Sequence, residues 1–394
     1  MARIASLHVK NFRSLADVEL PLKAVNVFFG ANGSGKSTLL DTLWFVRDCA
    51  IRGVELASAD RSHGIGILFD GAADDDQRIS ITMETEHISY SLRFDLASGS
   101  INSMPGEELR RIPGDETVIQ RNVGVENAIL YNSAVSQNLS VKLREPEKLS
   151  LNLYMQFNSS DEDAGDLDRL LHFVRLYHSR SFLLHRLKTQ GSESGHDQQL
   201  KKRGENAWSV LRNLHDRKHR DTRFDTIMEY MTEAFPTFDG IVLEQTGPNS
   251  VYGQFLEKEK SKPILASGVS DGHLQMLLLL TALFSEGKDR PSLILFDEPE
   301  ISLHPWALAV FAKAVREAGA NWNKQILAVT HSPVLISQFE ASDVIAAEII
   351  EGRTRLQRVS EIAGIGDLLS EYAAGSLYMA QMIGPQAAAA GAGR

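Results

Sequence analysis

The residues best suited to chemistry lie in a glycine-rich segment close to the start of the chain. It reads Gly30-Ala31-Asn32-Gly33-Ser34-Gly35-Lys36-Ser37-Thr38 and fits the pattern G-x-x-x-x-G-K-[ST] at every fixed position. In that pattern the glycines let backbone N–H groups approach a phosphate chain, the lysine places its charge on the terminal phosphates, and the next hydroxyl ligates Mg²⁺. The residues expected to bind ATP are therefore Gly30, Asn32, Gly33, Ser34, Gly35, Lys36, Ser37 and Thr38, with Ser37 also on the metal.

Two adjacent carboxylates supply what a bound nucleoside triphosphate needs in order to be hydrolysed. Residues 292–300 read as a buried strand that ends in Asp297 and Glu298. Such a strand delivers Asp297 next to the phosphate loop, where it can hold Mg²⁺ through water, and Glu298 can polarise the attacking water as general base. The alternative is a solvated strand end. The second carboxylate and the phosphate loop in the same chain favour an ATPase.

A histidine stands at the tip of the next predicted strand, residues 325–332. His331 could donate a hydrogen bond to the γ-phosphate and so distinguish ATP from ADP. A single histidine at a strand end is common, and the order and spacing of the three segments favour the catalytic role.

A serine and a glycine precede the apolar segment 274–284, which is predicted to be a helix. Ser270 and Gly272 at the start of a helix would form a second anion site from a hydroxyl, exposed N–H groups and the helix dipole. A second phosphate site is redundant within one subunit. It gains a purpose if it caps the γ-phosphate held by a second copy of the chain. Simple helix capping is the alternative.

The elements that must position these residues indicate an α/β protein. Residues 25–29 read as a buried strand and residues 38–46 as a helix, so the glycine segment is a strand–loop–helix turn. Residues 78–94 alternate around a polar turn and predict an antiparallel hairpin. From residue 161 to about 235 the pattern becomes helical and polar. One predicted helix face consists of Leu167, Leu170, Leu171, Val174 and Tyr177.

The pattern predicts four segments along the chain. Residues 1–150 form the N-terminal part of the nucleotide-binding head with its hairpins, and residues 151–240 form an inserted helical lobe. Residues 241–385 complete the head, and residues 386–394, rich in Ala and Gly, form a disordered tail.

The inserted segment is basic in an acidic protein. Residues 186–223 contain ten Lys or Arg and five Asp or Glu, whereas the whole chain has a net charge of −10. This stretch could be a track for nucleic-acid phosphates, with Lys201, Lys202 and Arg203 at its centre. It could equally be an ordinary charged helix face or a docking surface for an acidic partner.

Composition limits the class of protein. The chain has 394 residues, 43% of them hydrophobic and 23% charged, as in ordinary soluble globular proteins. The single cysteine, Cys49, excludes an internal disulfide and indicates a reducing compartment. The longest purely apolar run, residues 306–312, is far too short to span a bilayer. We therefore expect a cytoplasmic protein that does not enter the membrane.

The order of these motifs resembles the ABC-type ATPase heads of the SMC and RecF class, and more closely the stand-alone ATPases of the RecF/OLD-like branch. The matching residues are Asn11-Phe12-Arg13-Ser14, Val269-Ser270-Asp271-Gly272, Asp297-Glu298-Pro299-Glu300, Ser302-Leu303-His304-Pro305 and Thr330-His331-Ser332. Weaker similarities occur at 175–178 and 204–206. The resemblance implies an ABC-type head with an antiparallel β subdomain and an inserted helical lobe.

The resemblance also implies a head-to-tail dimer that closes on two ATP molecules, or a higher even-numbered oligomer. Arg13 matches a family arginine that reaches the nucleotide phosphates, and Gln156 is assigned as the glutamine that senses Mg²⁺. Two residues depart from the pattern of many such heads. Asp271 replaces a glycine after the signature serine, and His304 stands where an aspartate is usual; both departures occur in the RecF/OLD-like branch.

We expect an ATP-driven switch that acts on DNA or with a separate effector nuclease, in DNA maintenance or anti-phage defence. An ATP-dependent scaffold with little turnover, which binds a protein partner and no nucleic acid, is the alternative. A transporter ATPase is disfavoured because the inserted lobe is large and the pattern at Asp271 and His304 differs. The chain has no long heptad-bearing coiled coil of the SMC kind.

Overall fold

The computed structural model describes residues 3–64, 66–72, 77–97, 99–380 and 382–383. The tail predicted at residues 386–394 lies outside the described residues. No helix within these ranges is long and apolar enough to cross a membrane.

The elements fall into three stretches of the chain. The first contains β1 (Ser6–Phe12), β2 (Leu15–Pro21), β3 (Val25–Gly30), α1 (Lys36–Arg52), α2 (Val54–Ala59), β4 (Arg78–Glu84), β5 (Ile88–Ala97), β6 (Ser100–Ile101), β7 (Gly106–Arg111), β8 (Thr117–Arg121), β9 (Asn127–Asn132) and β10 (Gln137–Lys142). The second contains α3 (Ser150–Phe157), α4 (Glu162–His172), β11 (Val174–His178), α5 (Leu184–Thr189), β12 (Ser192–Glu193), α6 (Ala207–His215), α7 (Arg223–Ala234), β13 (Phe238–Gly247), β14 (Ser250–Glu257) and β15 (Ile264–Leu265). The third contains α8 (Asp271–Phe284), β16 (Ser292–Asp297), α9 (Pro305–Asn321), β17 (Lys324–Thr330), α10 (Pro333–Ile336), β18 (Val344–Ile350), β19 (Arg353–Arg358), α11 (Ile365–Glu371) and α12 (Ala374–Met379).

A six-stranded sheet carries the glycine segment. Its order is β11-β16-β17-β3-β18-β19, and all pairs are parallel except β18 with β19. Val27 and Phe29 of β3 face one hydrophobic core, and Phe28 between them faces the other. Because both faces of the sheet are covered, its strands read as continuous apolar runs. The strands predicted before the glycine segment, Asp297 and His331 are confirmed.

An antiparallel sheet packs beside α1. Its order is β10-β9-β8-β7-β5-β4-β1-β2, with β6 paired to β5. The hairpin predicted at residues 78–94 is confirmed as β4 and β5. Phe45 of α1 contacts Phe94 of β5 with ring centres 5.2 Å apart, so the sheet supports the helix that begins at the phosphate loop.

The expected helical lobe, residues 151–240, is not helical throughout. Within it β11 pairs in parallel with β16 at the edge of the central sheet. Val174 and Tyr177 therefore lie on a strand, and the prediction that they extend the helix face of Leu167 is wrong. Apolar residues that recur every three or four positions fit a helix. A five-residue strand is too short to show the alternation of buried and exposed residues that would identify it. Pairing with β16 decides the outcome.

The rest of the inserted part packs against α8. Helices α6 and α7 contact α8, and a small sheet of order β12-β14-β13, with β15 beside β14, lies over α6 and α7. Trp208 of α6 is fully buried under β14, where a Cβ on Gly253 would lie 2.3 Å from its ring. The inserted part is thus joined closely to the helix that follows Ser270.

Candidate nucleotide-binding site

The glycine segment leaves β3 at its carboxyl end and becomes the first turn of α1. Gly30 and Gly35 have φ angles of 149° and 88°, which favour glycine. A Cβ on Gly30 would lie 2.0 Å from the carbonyl oxygen of Ala347, and a Cβ on Gly35 would lie 2.0 Å from Thr354 Oγ1. The neighbours therefore require glycine at both positions. The N–H groups at the start of α1 lack partners within the helix and suit an anion.

Lys36 folds back over its own loop. Its ammonium donates to the carbonyl oxygens of Gly30 at 2.9 Å and Ala31 at 2.7 Å, and to Ser34 Oγ at 3.2 Å. Burial lowers the pKa of Lys36 to about 8, although the carboxylates of Asp297, Glu298 and Glu300 oppose the shift. Phosphate oxygens would replace these three acceptors. Asn32, Gly33 and Ser37 are exposed at the loop surface, whereas Ser34 is buried.

Strand β16 brings Asp297 to the first turn of α1. The Ser37 hydroxyl donates to Asp297 Oδ1 at 3.2 Å, across 260 residues of sequence. The other carboxylate oxygen lies 2.9 Å from His178 Nδ1, at the end of β11. Mg²⁺ prefers oxygen ligands and usually takes one or two from the protein, the rest coming from water and phosphate. Ser37 and Asp297 together fit that ion.

Glu298 follows in a backbone conformation that is rare outside glycine, with φ of 54°. Its N–H donates to the carbonyl oxygen of Val329 at 2.9 Å, which fixes the turn after β16 against β17. Its carboxylate contacts Arg180 Nε at 2.5 Å and lies 3.9 Å from His331 Nε2. The turn thus brings Glu298 and His331, both predicted to be catalytic, to one place.

His331 is held by the loop that follows Glu298. Its backbone N–H donates to Glu300 Oε1 at 2.7 Å. Burial lowers the pKa of the His331 ring, and the nearby charge of Lys36 lowers it further. The imidazole is therefore neutral near pH 7, with one N–H to donate.

Two residues of this site were not predicted from the sequence. His178 contacts Asp297 and Arg180 contacts Glu298, so the end of β11 holds both carboxylates. The available signal was the family similarity at residues 175–178, to which we assigned no role. The partners are 119 and 118 residues apart, and neither histidine nor arginine is unusual alone.

Arg13 reaches the same region from the turn after β1. Its guanidinium pairs with Asp41 of α1 at 3.0 Å, one turn beyond Ser37. Arg13 also lines a cavity of about 390 Å³. The other lining residues include Ser37, Thr38, Trp44, His178 and Lys202. The structure therefore places Arg13 in one cavity with Ser37 and Thr38, and its contact with the nucleotide phosphates stays a prediction.

Ser270 and Gly272 lie at the start of α8. Among the described residues, no hydrogen bond or ion pair joins Ser270 or Gly272 to the glycine segment. Ser270 is exposed and is the N-cap residue of α8, but its hydroxyl lies 2.8 Å from His273 Nδ1 and accepts no hydrogen bond from a backbone N–H of the helix. A Cβ on Gly272 would lie 2.6 Å from the carbonyl oxygen of Ser302, in the loop that follows Glu298.

The assignment of Gln156 is wrong. Gln156 is exposed on α3, and Asn152 of that helix donates to the carbonyl oxygen of Ala50 at 3.1 Å. Ala50 lies near the far end of α1, about 21 Å along the helix axis from Lys36. Our choice rested on residue type alone, without a contact to fix its position. His178 occupies the place beside Asp297.

Family models match most of the chain. A model described as "AAA domain, putative AbiEii toxin, Type IV TA system" matches residues 126–337, and a model described as "AAA ATPase domain" matches residues 3–96. Protein ea59 of Escherichia phage lambda is 35% identical over 74 residues, which cover 19% of this chain and 14% of that protein. The DNA replication and repair protein RecF of Coxiella burnetii (strain Dugway 5J108-111) is 45% identical over 47 residues, which cover 12% of this chain and 13% of RecF. The matched segments thus span about one seventh of these relatives.

A solved SMC head has the same fold. That structure, an SmcHead bound to the C-winged helix domain of ScpA, superposes with a TM-score of 0.52 at 14% identity and covers 90% of this chain and 97% of that chain. The predicted fold class and the resemblance to ABC-type ATPases of the RecF and SMC kind are confirmed.

Proposed function

The chain belongs to the AAA-domain family described as putative AbiEii toxin of a type IV TA system, and from this premise we propose that it hydrolyses ATP to ADP and phosphate. One observation carries the proposal: the Ser37 hydroxyl and the Asp297 carboxylate, distant in sequence, meet at 3.2 Å. This pair would hold Mg²⁺, which neutralises charge on the phosphates when bound.

Each remaining residue of the site has a role in this reaction. Glu298 accepts the proton of the attacking water as the bond between the γ-phosphorus and the bridging oxygen of ADP breaks. Lys36 and the neutral His331 donate to the γ-phosphate oxygens, and Arg180 orients the Glu298 carboxylate. Arg13 contacts the nucleotide from the turn after β1.

The site is completed by a second copy of the chain. Ser270 is exposed at the N-terminus of α8, and among the described residues its hydroxyl contacts His273 Nδ1 of the same helix and no residue of the glycine segment. In a head-to-tail dimer Ser270 and Gly272 of each subunit would cap the γ-phosphate held by the other. ATP then closes the dimer and hydrolysis opens it.

Steady-state phosphate release tests the enzymatic proposal. Glu298→Gln should lower the turnover number about a hundredfold or more while ATP binding is retained, because the general base is lost and the loop remains. Glu300→Gln is the matched control, since its Oε1 can still accept from the His331 N–H. If Glu298→Gln turns over like Glu300→Gln, Glu298 is not the base.

A basic surface supports DNA as the partner of the switch. Several basic residues of the inserted segment are engaged within the chain; Lys188, for example, pairs with Asp271 at 2.6 Å. Those left on the surface include Arg217, Lys218 and Arg220, and Arg220 lines a cavity with Lys288 and Arg290. This surface lies at the start of β17, about 20 Å from its end at Thr330. The same phosphate assay, run with duplex DNA, single-stranded DNA and RNA, should show salt-sensitive stimulation that neutralising these residues abolishes.

One observation favours the alternative of a scaffold with little turnover. Arg180 contacts the Glu298 carboxylate, and a persistent contact would compete with the attacking water. A scaffold would bind ATP and dimerise with no measurable phosphate release. An effector nuclease encoded as a separate chain, acting in DNA maintenance or phage defence, suits either form.

A further inference from the structure

One residue of the basic segment 186–223, Lys202, lines the cavity beside the glycine segment. Lys202 belongs to the basic triplet 201–203 that the sequence suggested as part of a nucleic-acid track. Its ammonium instead lies 4.8 Å from the centre of the Trp44 ring, in the cavity that begins at Ser37 and Thr38. Partial burial beside Trp44 lowers the pKa of Lys202, although the residue as a whole is exposed. Arg203 is exposed, as Lys202 is, but it does not line this cavity.

The ammonium group of Lys202 is available to donate hydrogen bonds to a ligand in this cavity. The other cations of the cavity are already paired, since Arg13 lies 3.0 Å and Arg61 2.8 Å from carboxylate oxygens of Asp41. Within the described part of the chain, no hydrogen bond or ion pair ends on the Lys202 ammonium. The cavity of about 390 Å³ falls in the range of small-molecule sites and adjoins the turn that faces the phosphates. A ligand whose phosphates rest on that turn would extend toward Lys202.

The loop that carries Lys202 is fixed from both sides. The side-chain amide of Asn206 accepts from the Lys201 N–H at 2.9 Å and donates to Asp197 and to the Gln199 carbonyl oxygen, both at 3.0 Å. Gly204 has φ of 70°, and a Cβ there would lie 3.0 Å from Leu278 of α8. The similarity noted at residues 204–206 therefore marks a turn that presents Lys202 and packs on the helix that begins after Ser270.

We propose that Lys202 is a nucleotide-binding residue, which donates to the phosphate–ribose part of ATP on the phosphate loop and so links the inserted segment to nucleotide occupancy. The inference rests on the proposed function, because it assigns a further contact to the same ligand. Through Gly204 and Leu278 this contact also reaches α8, which carries the serine that a second copy would use.

Isothermal titration of the full-length chain with ADP and with the non-hydrolysable analogue AMPPNP, in the presence of Mg²⁺, tests this. Lys202→Ala and Lys202→Met should each raise the Kd about tenfold or more, the loss expected for one charge-assisted hydrogen bond. Lys202→Met keeps the apolar stem over Trp44, so the two variants separate charge from packing. Arg203→Ala, the neighbouring cation outside the cavity, should stay within about twofold of the unmodified chain.

The outcomes separate this inference from the proposed function. If Lys202→Met binds both nucleotides as tightly as Arg203→Ala does, Lys202 is not a nucleotide contact, and the inference is overturned. If the unmodified chain binds neither nucleotide, or Lys36→Ala binds them unchanged, the ATPase proposal itself fails. If Lys202→Met loses DNA binding while its nucleotide affinity is unchanged, Lys202 contacts nucleic-acid phosphates instead, and the inference is also overturned.

Discussion

At the scale of single residues, the ammonium of Lys36 is held by acceptors of its own loop. Lys36 donates to two backbone carbonyl groups and one hydroxyl of its own loop, in a buried environment that disfavours its charge. Phosphate oxygens carry full negative charge and favour the ammonium form far more strongly than neutral carbonyl groups do. Nucleotide binding and protonation of Lys36 are therefore linked.

This linkage predicts a pH dependence of ATP affinity. The pKa of Lys36 is lowered to about 8 in the free protein, so above that pH the lysine is largely neutral. The bound state requires the charged form, so binding takes up a proton and the affinity falls as pH rises through 8. Calorimetric titrations at pH 8.5 or so, in buffers of different ionisation enthalpy, should show proton uptake. An affinity and a proton count that do not change between about pH 7 and 9 would contradict the linkage.

Residue types identified the site only where a local pattern existed. The glycine segment, Asp297 with Glu298, and His331 each follow a predicted strand, and all were recognised from sequence. Arg180 and Lys202 were not, because their contacts depend on how distant elements pack. A basic residue in a charged segment is predicted to be an ordinary surface residue unless the ring or the carboxylate that it contacts is known.

At the scale of elements, β11 is the part of the fold that sequence pattern predicted wrongly and that matters most to the site. It adds an edge strand to the central sheet next to β16. The carboxyl ends of parallel strands meet at one edge, so the last residue of β11 stands beside the last residue of β16. His178 and Asp297 are register partners in that pair.

The register of β11 predicts that His178 supports the metal ligand. A hydrogen-bond partner orients a ligating carboxylate. Loss of such a partner typically lowers the metal affinity by roughly ten- to a hundredfold. His178→Ala should therefore raise the Mg²⁺ concentration needed for half-maximal ATP hydrolysis about tenfold. His172→Ala, an exposed histidine at the end of α4, is the matched control. Equal Mg²⁺ requirements in the two variants would remove His178 from this role.

At the scale of the whole molecule, the proposed site consists of two parts that no hydrogen bond or ion pair joins among the described residues. The glycine segment, Asp297, Glu298 and His331 converge, while Ser270 and Gly272 lie at the start of α8, where Gly272 packs against Ser302 in the loop after Glu298. Sequence pattern predicted the head fold, and the role of Ser270 and Gly272 in the site stays a prediction. It did not predict β12 and β15 of the small sheet, because these two-residue strands carry too few residues to show a period.

The mass in solution of Glu298→Gln with ATP and Mg²⁺ tests most directly whether two copies complete the site. Light scattering should give twice the mass of one chain with ATP and Mg²⁺ and the mass of one chain without nucleotide. Ser270→Arg, added to Glu298→Gln, should prevent the doubling, because a bulky side chain would stand where the partner's γ-phosphate must approach. A variant that binds ATP yet keeps the mass of one chain at every protein concentration would contradict the account.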